Sequence, residues 1–295
     1  MPSFISSSRP IAIAAFAALA VYAAIIEVVR PKISFYPDQD AFNLARAERF
    51  LIAAKPYDTV LLGSSLAVRI PDDWLPDDML NLSFGGMSAQ TGLALIARNR
   101  DVPRRVLIET NTFDIDIKPE FEAAARGPIP LGLRRLVRAL RAEMRPVNLV
   151  LSEFGEARTP PLLKRGSRGL AAACATLLAS PERDGVQPDV VARSVAGEAG
   201  VEQNSVGLAA AAARLADGVR TLRARGVEVA FVELPVDSAL GARTDARRQA
   251  LAAAVPDATF LRFDATEFQT EDGQHLAPIS ARRFACRLRE RLYSM

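Results

Sequence analysis

His275, the only histidine among 295 residues, is the side chain of this chain best suited to act as a general base. It follows Asp272 by three positions, close to the C-terminus. In serine hydrolases an imidazole removes the proton of the nucleophilic serine, and a carboxylate orients that imidazole. If the chain performs this chemistry, His275 must be the base because no other histidine can replace it. Asp272 is then the nearest candidate for the orienting acid.

Candidates for the nucleophile and for an oxyanion hole follow three short apolar runs nearer the N-terminus. Ser65, in a Gly-Ser-Ser-Leu sequence, follows the first run where a helix could begin, so that backbone N–H groups would lie beside its hydroxyl. Gly86 follows the second run and offers an N–H with no side chain in the way. Asn111 follows the third run and offers a side-chain amide. The hypothesis is a Ser65–His275–Asp272 triad, with the oxyanion bound by the N–H groups of Ser65 and Gly86 and by Asn111.

Each of these motifs also has an ordinary structural interpretation when it is taken alone. A Gly-Ser-Ser sequence after a strand, or a pair of glycines, commonly forms a turn. An asparagine after a strand commonly caps it, and Asp-x-x-His is a weak pattern. Glu109, two residues before Asn111, could be a second acid, but a solvated or arginine-paired side chain is the favoured interpretation. Only the combination of motifs therefore supports the triad.

The elements that must position these residues alternate between strands and helices. Five apolar runs are typical of buried strands; they cover residues 59–62, 79–82, 105–108, 227–234 and 259–263. Helical patterns precede, separate or follow them; they cover residues 40–54, 90–99, 206–226, 244–254 and 278–293. This alternation predicts an α/β sandwich with a mostly parallel sheet, in which ligands gather at the carboxyl ends of the strands.

A helical insert, at about residues 119–205, separates the third strand from the helix that precedes the fourth. It is longer than an ordinary connection between such elements. Its first part is rich in arginine, and either of two roles is open for these side chains: contact with anionic lipid head groups, or exposure on a solvated helix face. The arginines are Arg134, Arg135, Arg138, Arg141 and Arg145.

Residues 10–29 form an apolar segment whose only charge is Glu27. Twenty helical residues rise about 30 Å, enough to cross the hydrocarbon core of a bilayer. An uncleaved anchor over residues 1–32, followed by one α/β domain over residues 33–295, is the favoured interpretation. A cleaved signal peptide, with a cleavage site near residues 18–20, and a buried core helix are the alternatives. Because basic residues flank the segment on both sides, they do not settle its orientation.

The composition excludes several classes of function. The net charge is only +3, and no dense basic tract is interleaved with aromatic residues, so nucleic-acid binding has little support. With two cysteines and one histidine a zinc cluster is nearly excluded. Cys174 and Cys286 lie far apart in the sequence. A disulfide between them remains possible, but two buried free thiols are the favoured interpretation.

Taken together, the blocks at the strand ends resemble those of the SGNH (GDSL-type) hydrolase superfamily. The resemblance covers residues 57–114 and 226–290 and leaves the insert unmatched; it rests on the sequences Gly63-Ser64-Ser65-Leu66, Asn81-Leu82-Ser83-Phe84-Gly85-Gly86, Glu109-Thr110-Asn111-Thr112 and Asp272-Gly273-Gln274-His275. It implies a three-layer α/β/α sandwich with a flavodoxin-like parallel sheet, here preceded by one N-terminal transmembrane helix. It also implies that Ser65, His275 and Asp272 act without a metal or an organic cofactor.

Two residues depart from the family pattern. Ser64 replaces the usual Asp before the nucleophile, and Glu109 places a carboxylate where the family tolerates Gly. Such departures resemble those of membrane-anchored bacterial members that act on envelope polysaccharides. The expected function is therefore a serine esterase or O-acyltransferase acting on an ester, such as the O-acetyl groups of an envelope polysaccharide.

The expected location is the inner (cytoplasmic) membrane, with a single span and an extracytoplasmic catalytic domain; after signal cleavage the protein would instead be secreted or periplasmic. Two alternatives to the expected function remain. One is a catalytically inactive anchored domain that binds carbohydrate or an envelope assembly partner, with Glu109 disrupting the oxyanion hole. The other is an α/β-hydrolase, but that fold normally has several strands before its nucleophile and its acid and histidine on separate loops.

Overall fold

The fold is built around a five-stranded sheet in which every neighbouring pair of strands runs parallel. The strand order β2-β1-β3-β4-β5 is that of flavodoxin-like sheets. The strands are short and, apart from the edge strand at Thr259–Leu261, largely buried, as the apolar runs of the sequence predict. The strands are β1 (Thr59–Leu62), β2 (Met79–Asn81), β3 (Arg105–Glu109), β4 (Glu228–Val232) and β5 (Thr259–Leu261). All five predicted strands are confirmed, with ends that differ by at most two residues.

The computed structural model describes residues 8–31, 33, 36–115, 118–154, 167–186, 191–192 and 205–293. Its helices are α1 (Ser8–Val29), α2 (Gln39–Leu51), α3 (Ser65–Val68), α4 (Ala89–Ala97), α5 (Pro119–Arg126), α6 (Leu131–Leu136), α7 (Pro146–Phe154), α8 (Ser167–Ala179), α9 (Ser205–Arg223), α10 (Gly241–Ala254) and α11 (Pro278–Tyr293). Short 3₁₀ turns lie at Asp72–Trp74, Arg138–Leu140, Ala142–Met144, Ser238–Leu240 and Ala265–Glu267. The predicted helices around the sheet are thus confirmed.

Helices cover both faces of the sheet, which gives three layers. On one face Leu61, Leu107 and Ala230 belong to one buried cluster with side chains of α8 and α11. On the other face α4 approaches β1 so closely that a Cβ added at Gly92 would lie 2.7 Å from Leu62. Helix α9 in turn packs on α4, where Gly218 contacts Leu93. The predicted α/β sandwich with a parallel sheet is therefore confirmed at the level of layers and strand order.

The chain divides into two compact units. The N-terminal unit combines Met1–Ala54 with Arg126–Thr159, so it contains α1, α2, α6 and α7. The sheet unit combines Lys55–Ala125 with Pro160–Met295 and contains all five strands. Residues 126–159 of the predicted insert therefore belong with the residues that precede the sheet.

Helix α1 is long and apolar enough to cross a membrane. Its residues from Arg9 to Val29 have a mean hydropathy of 2.4, and only 6% of that stretch is buried. The alternative of a buried core helix does not agree with this exposure. A membrane span and a signal sequence both remain compatible with it.

Arg134 and Arg135, in the arginine-rich part of the insert, bind protein groups. The predicted helical segment is interrupted after α6 and continues as two 3₁₀ turns. Arg134 is only 6% exposed, and its guanidinium lies 2.8 Å from the Glu48 carboxylate. Arg135 donates hydrogen bonds to the main-chain carbonyls of Ile52 and Ala53, at 3.0 and 2.9 Å. The interpretation as a solvated face is therefore wrong for Arg134, which is buried, whereas Arg135 stays exposed.

The prediction of two free thiols is also wrong, because Cys174 and Cys286 form a disulfide. Cys174 belongs to α8 in the insert and Cys286 to the C-terminal helix α11, 112 residues later. The two helices pack on the same face of the sheet and bring the Cα atoms to 5.4 Å. The spacing of the cysteines in the sequence carries no information about this packing.

Replacing both Cys174 and Cys286 with alanine is expected to lower the free energy of unfolding by about 2–4 kcal/mol, because the bond closes a long loop in the unfolded chain. Chemical denaturation of the oxidised protein and the double variant measures the difference. Ala172→Ser, an exposed change on α8, is the control and should alter stability by less than about 0.5 kcal/mol. Titration of two thiols in denatured, unreduced protein from an oxidising compartment would contradict the bond.

Candidate active site

The turn between β1 and α3 presents Ser65 at the carboxyl end of the sheet. Ser65 is the first residue of α3 and is partly exposed, whereas Ser64 is buried and caps the helix, its Oγ accepting a hydrogen bond from the Leu66 N–H at 3.2 Å. Only glycine fits at position 63, because an added Cβ would lie 2.5 Å from the Ala67 Cβ and 3.0 Å from the Glu109 Cβ. The close approach of β1 and β3 thus fixes where the serine emerges.

Asn81 holds the other end of α3, a role that the sequence analysis did not assign to it. Its side chain is fully buried at the end of β2. The Nδ2 atom donates hydrogen bonds to the main-chain carbonyls of Ala67 and Ile70, at 2.8 and 2.9 Å. Free carbonyls at a helix end need such donors. Asparagine at the end of an apolar strand was the available signal for this role.

The loop that carries Asp272 and His275 is shaped by the aspartate itself. Asp272 Oδ1 accepts hydrogen bonds from the N–H groups of Gln274, at 3.0 Å, and His275, at 2.8 Å. Gly273 has a φ of 90°, a conformation that favours glycine. The Gly273 carbonyl accepts a hydrogen bond from the Asp237 N–H, which connects the loop to the chain after β4. The loop therefore presents both side chains in one defined arrangement.

The structure brings the three predicted triad residues together. Asp272 Oδ2 lies 2.7 Å from His275 Nδ1, and His275 Nε2 lies 3.0 Å from Ser65 Oγ. Because a carboxylate only accepts, its partner Nδ1 carries the proton, and Nε2 presents its lone pair to the serine hydroxyl. This arrangement can remove a proton from Ser65 as the hydroxyl attacks an electrophile.

Asp272 has the charge state that an orienting acid requires. Partial burial raises the pKa of this carboxyl, but hydrogen bonds from the His275 backbone and ring and from the Gln274 N–H outweigh that effect. The pKa of Asp272 is therefore below its ordinary value, and the group is ionised at neutral pH. An ionised Asp272 also stabilises the imidazolium that forms when His275 accepts a proton.

Two of the three predicted oxyanion donors, Gly86 and Asn111, lie outside α3. The structure places each of them in the segment that follows a strand. Gly86 is exposed in the turn after β2, with a φ of 69° that favours glycine. Asn111 is buried after β3, where its Oδ1 accepts from the Leu234 N–H at 2.9 Å and its Nδ2 donates to the Leu234 carbonyl at 3.0 Å. The amide has a second Nδ2 hydrogen for a substrate oxygen. That these groups converge with the Ser65 N–H on one oxyanion remains a prediction.

Glu109 is neither solvated nor paired with an arginine, so both favoured interpretations of this residue are wrong. It is fully buried at the end of β3. Its Oε2 accepts hydrogen bonds from the Ser64 N–H at 2.9 Å and from the Thr112 hydroxyl at 3.2 Å. The carboxyl therefore links the turn that carries Ser65 to the loop that carries Asn111. Every residue of β3 from Val106 onward is buried, so the position of Glu109 at the end of this apolar run could have indicated its burial.

Burial also gives Glu109 a testable signature. Burial raises the pKa of this carboxyl above its ordinary value, although hydrogen bonds from Ser64, Thr112 and Asn111 lower it in part. Its contribution to stability is therefore fully present below the unfolded-state pKa of about 4.3 and is lost as the pH rises through the folded-state pKa. Glu109→Gln imitates the protonated form. The variant should thus gain stability relative to wild type as the pH rises from about 4 towards neutrality.

Thermal unfolding of both proteins across this pH range measures the effect of Glu109→Gln. Glu120→Gln, on the exposed surface of α5, is the reference for a carboxyl that folding does not bury. A stability difference between wild type and Glu109→Gln that stays constant with pH would contradict the raised pKa.

A cavity of about 780 Å³ lies beside the acid–base loop. Among the described residues that line it are Pro235–Ala239 and Phe268–Thr270, but neither Ser65 nor His275. It is therefore not the place where a substrate bond would meet the nucleophile. Within the part of the chain that the structure describes, no group of three or more His, Cys, Asp or Glu side chains could hold a metal ion.

No protein-family model, curated protein or solved structure matches this chain. The likeness to SGNH hydrolases therefore depends on the order of the motifs in the sequence. The geometry around Ser65, His275 and Asp272 is an observation independent of that likeness.

Proposed function

We propose that the chain is a serine esterase or O-acyltransferase of the SGNH type. The observation that carries this proposal is the position of the single imidazole, with Nδ1 2.7 Å from the Asp272 carboxylate and Nε2 3.0 Å from the Ser65 hydroxyl. Ser65 lies 210 positions before His275, so only tertiary packing joins its hydroxyl, the imidazole and the Asp272 carboxylate in one order of contacts. Their order is the one required to activate a serine for acyl transfer.

In the first half of the reaction Ser65 Oγ attacks the carbonyl carbon of an ester while His275 Nε2 takes the hydroxyl proton. The carbonyl oxygen becomes an oxyanion, for which the Ser65 N–H, the Gly86 N–H and the Asn111 amide are the donors. Collapse of this intermediate breaks the bond to the alcohol oxygen. The imidazolium of His275 returns the proton to the departing alcohol, and Ser65 remains acylated.

In the second half an acceptor hydroxyl attacks the acyl group on Ser65, and His275 removes its proton. The bond between the acyl carbon and Ser65 Oγ then breaks, and the His275 imidazolium returns the proton to Ser65, which restores the free enzyme. Water as the acceptor gives an esterase, and a sugar hydroxyl gives an O-acyltransferase. The resemblance to membrane-anchored SGNH proteins favours an O-acetylated envelope polysaccharide as donor or product. The mechanism needs no metal and no organic cofactor.

The proposed location is the inner membrane, with one span and an extracytoplasmic sheet unit. Helix α1 supports this because it is long, apolar and exposed. The Cys174–Cys286 disulfide supports it independently, since such bonds persist in oxidising compartments and are rare in the cytosol. Release into the periplasm or medium after signal cleavage is the alternative, and the N-terminal sequence of the mature protein distinguishes the two.

The alternative function, an inactive domain that binds carbohydrate or an assembly partner, assumed that Glu109 disrupts the oxyanion hole. The carboxyl is instead buried and bonded to the Ser64 N–H and the Thr112 hydroxyl. This contact removes the argument that favoured an inactive site, and acyl transfer is the better-supported function.

Labelling with a fluorophosphonate probe tests the proposal, because the probe reacts only with a serine that a neighbouring base activates. We expect the native protein to be labelled and peptide mapping to locate the modification on Ser65. Heat-denatured wild type and native Ser65→Ala should remain unlabelled. Failure of folded wild type to react would overturn the proposal and favour the binding domain.

A further inference from the structure

The last two turns of α1 are in contact with the rest of the N-terminal unit. The Tyr22 hydroxyl donates a hydrogen bond to the main-chain carbonyl of Met144, and the Glu27 carboxylate lies 3.8 Å from the Arg138 guanidinium. Ile26 is only 1% exposed. The remaining aliphatic side chains of these turns are open: Ile25 is 52% exposed, Val28 83% and Val29 64%.

These contacts place the two 3₁₀ turns of the insert beside the last two turns of α1. At about 1.5 Å per residue, Tyr22 lies about 10 Å before Val29. If α1 spans a bilayer, its exposed aliphatic residues up to Val29 contact hydrocarbon or the lower head-group region. The 3₁₀ turns of Arg138–Leu140 and Ala142–Met144 bind the same two turns of α1, so they lie at that depth as well.

The helices on either side of these 3₁₀ turns expose aliphatic side chains of their own. Four large residues are open: Leu133, 44% exposed, and Leu136, 82%, on α6, with Val147, 48%, and Val150, 57%, on α7. Such a concentration of exposed aliphatic residues marks a surface that contacts a partner or a lipid phase. Because α6 and α7 contact the same 3₁₀ turns that pack on α1, the lipid phase is the partner that we select for this surface.

The charged side chains near the end of α1 are paired or hydrogen-bonded, which is compatible with a location at the membrane interface. Glu27 is paired with Arg138 and also with Arg30, so its carboxylate is neutralised where α1 ends. Arg141 donates to the main-chain carbonyl of Arg134 at 3.1 Å. Long basic side chains can keep their charged ends at the head groups while their aliphatic stems contact apolar surroundings.

We propose that the N-terminal unit is partly immersed in the interface of the bilayer that α1 enters. In this arrangement α6 and α7 place their exposed aliphatic residues among the head groups and the upper acyl chains of one leaflet. The lipid bilayer itself is the occupant of this surface. The inference rests on the membrane span proposed for α1, but it does not depend on the chemistry of Ser65.

Quenching of tryptophan fluorescence by lipids brominated near the head-group end of the acyl chain tests this position in the full chain. The only native tryptophan, Trp74, is buried, so the parent protein supplies a constant background. Leu136→Trp and Val150→Trp report on α6 and α7. Phe16→Trp, at a 74% exposed position of α1, is the positive control, and Thr221→Trp, on a polar exposed turn of α9, is the negative control.

We expect phosphatidylcholine vesicles that contain the brominated lipid to reduce the added fluorescence of Leu136→Trp, Val150→Trp and Phe16→Trp, with no loss for Thr221→Trp. Each variant must unfold at the temperature of the parent, which shows that the substitution leaves the fold intact. Quenching of Phe16→Trp alone would overturn the proposal while leaving the membrane span in place. Quenching of none of the four would overturn both the proposal and the span.

Discussion

Replacing Ser65 with alanine is expected to lower kcat for an activated acetyl ester, such as p-nitrophenyl acetate, by about 10⁴- to 10⁶-fold. The physical reason is that in the proposed mechanism the Ser65 hydroxyl forms the covalent bond to the acyl group, and alanine has no atom that can take its place. The side chain is partly exposed, so its loss should not unfold the protein. Steady-state kinetics and the thermal unfolding midpoint together separate the loss of catalysis from a loss of structure.

Ser64→Ala is the matched control, because Ser64 is the adjacent serine and has a different role. Its Oγ accepts a hydrogen bond from the Leu66 N–H, so the substitution removes a helix cap worth about 1 kcal/mol. The variant should retain kcat within about tenfold of wild type, because the lost cap lowers folding stability and leaves the Ser65 hydroxyl and its His275 partner in place. Equal losses in the two variants would mean that the hydroxyl of Ser65 is not the nucleophile.

Replacing His275 with alanine is expected to produce a loss of comparable size, about 10⁴-fold or more in kcat. The reason is specific to this chain: His275 is its only histidine, so no second imidazole can accept the Ser65 proton. Asp272→Asn should also impair activity strongly, since an amide cannot hold the tautomer in which Nε2 faces the serine. Hydrolysis of the same acetyl ester measures both effects.

Gln274→Ala is the control for His275→Ala within the same loop. Only the backbone N–H of Gln274 contacts Asp272, and alanine retains that group. Activity of this variant should therefore remain close to that of wild type. Substantial hydrolysis by His275→Ala at neutral pH would exclude the proposed mechanism.

Much of the fold was predictable from the sequence because strands and helices have different apolar periods. The five strands and the C-terminal helix were found with nearly correct ends, since buried parallel strands read as short uninterrupted apolar runs. The insert was harder to predict. Its arginine-rich part looked like one helix, but it breaks after Leu136 where Val137 takes an extended backbone conformation. Arginine contacts with Glu48 and with main-chain carbonyls, which are remote in sequence, stabilise that break.

The sequence was enough to select the candidate site residues. It was not enough to predict the burial and the contacts of the residues around them. The sequence contains one histidine, and only a few serines follow a strand, so His275 and Ser65 could be identified without coordinates. Whether Glu109 faces solvent depends on how closely β1 and β3 approach at Gly63. Whether Cys174 meets Cys286 depends on two helices packing on one face of the sheet.

The sequence by itself determined which chemical groups are present and in what order, and therefore which catalytic mechanism we propose. Local patterns carry that information because the apolar period is set by the backbone geometry of neighbouring residues. The tertiary structure alone decided which groups meet: Asp272 and Ser65 on opposite sides of His275, Glu109 beneath the turn of the nucleophile, and α1 against the 3₁₀ turns. Apart from Asp272 and His275, which share one loop, these contacts join residues tens to hundreds of positions apart, and only the packing of the whole chain brings them within hydrogen-bond distance.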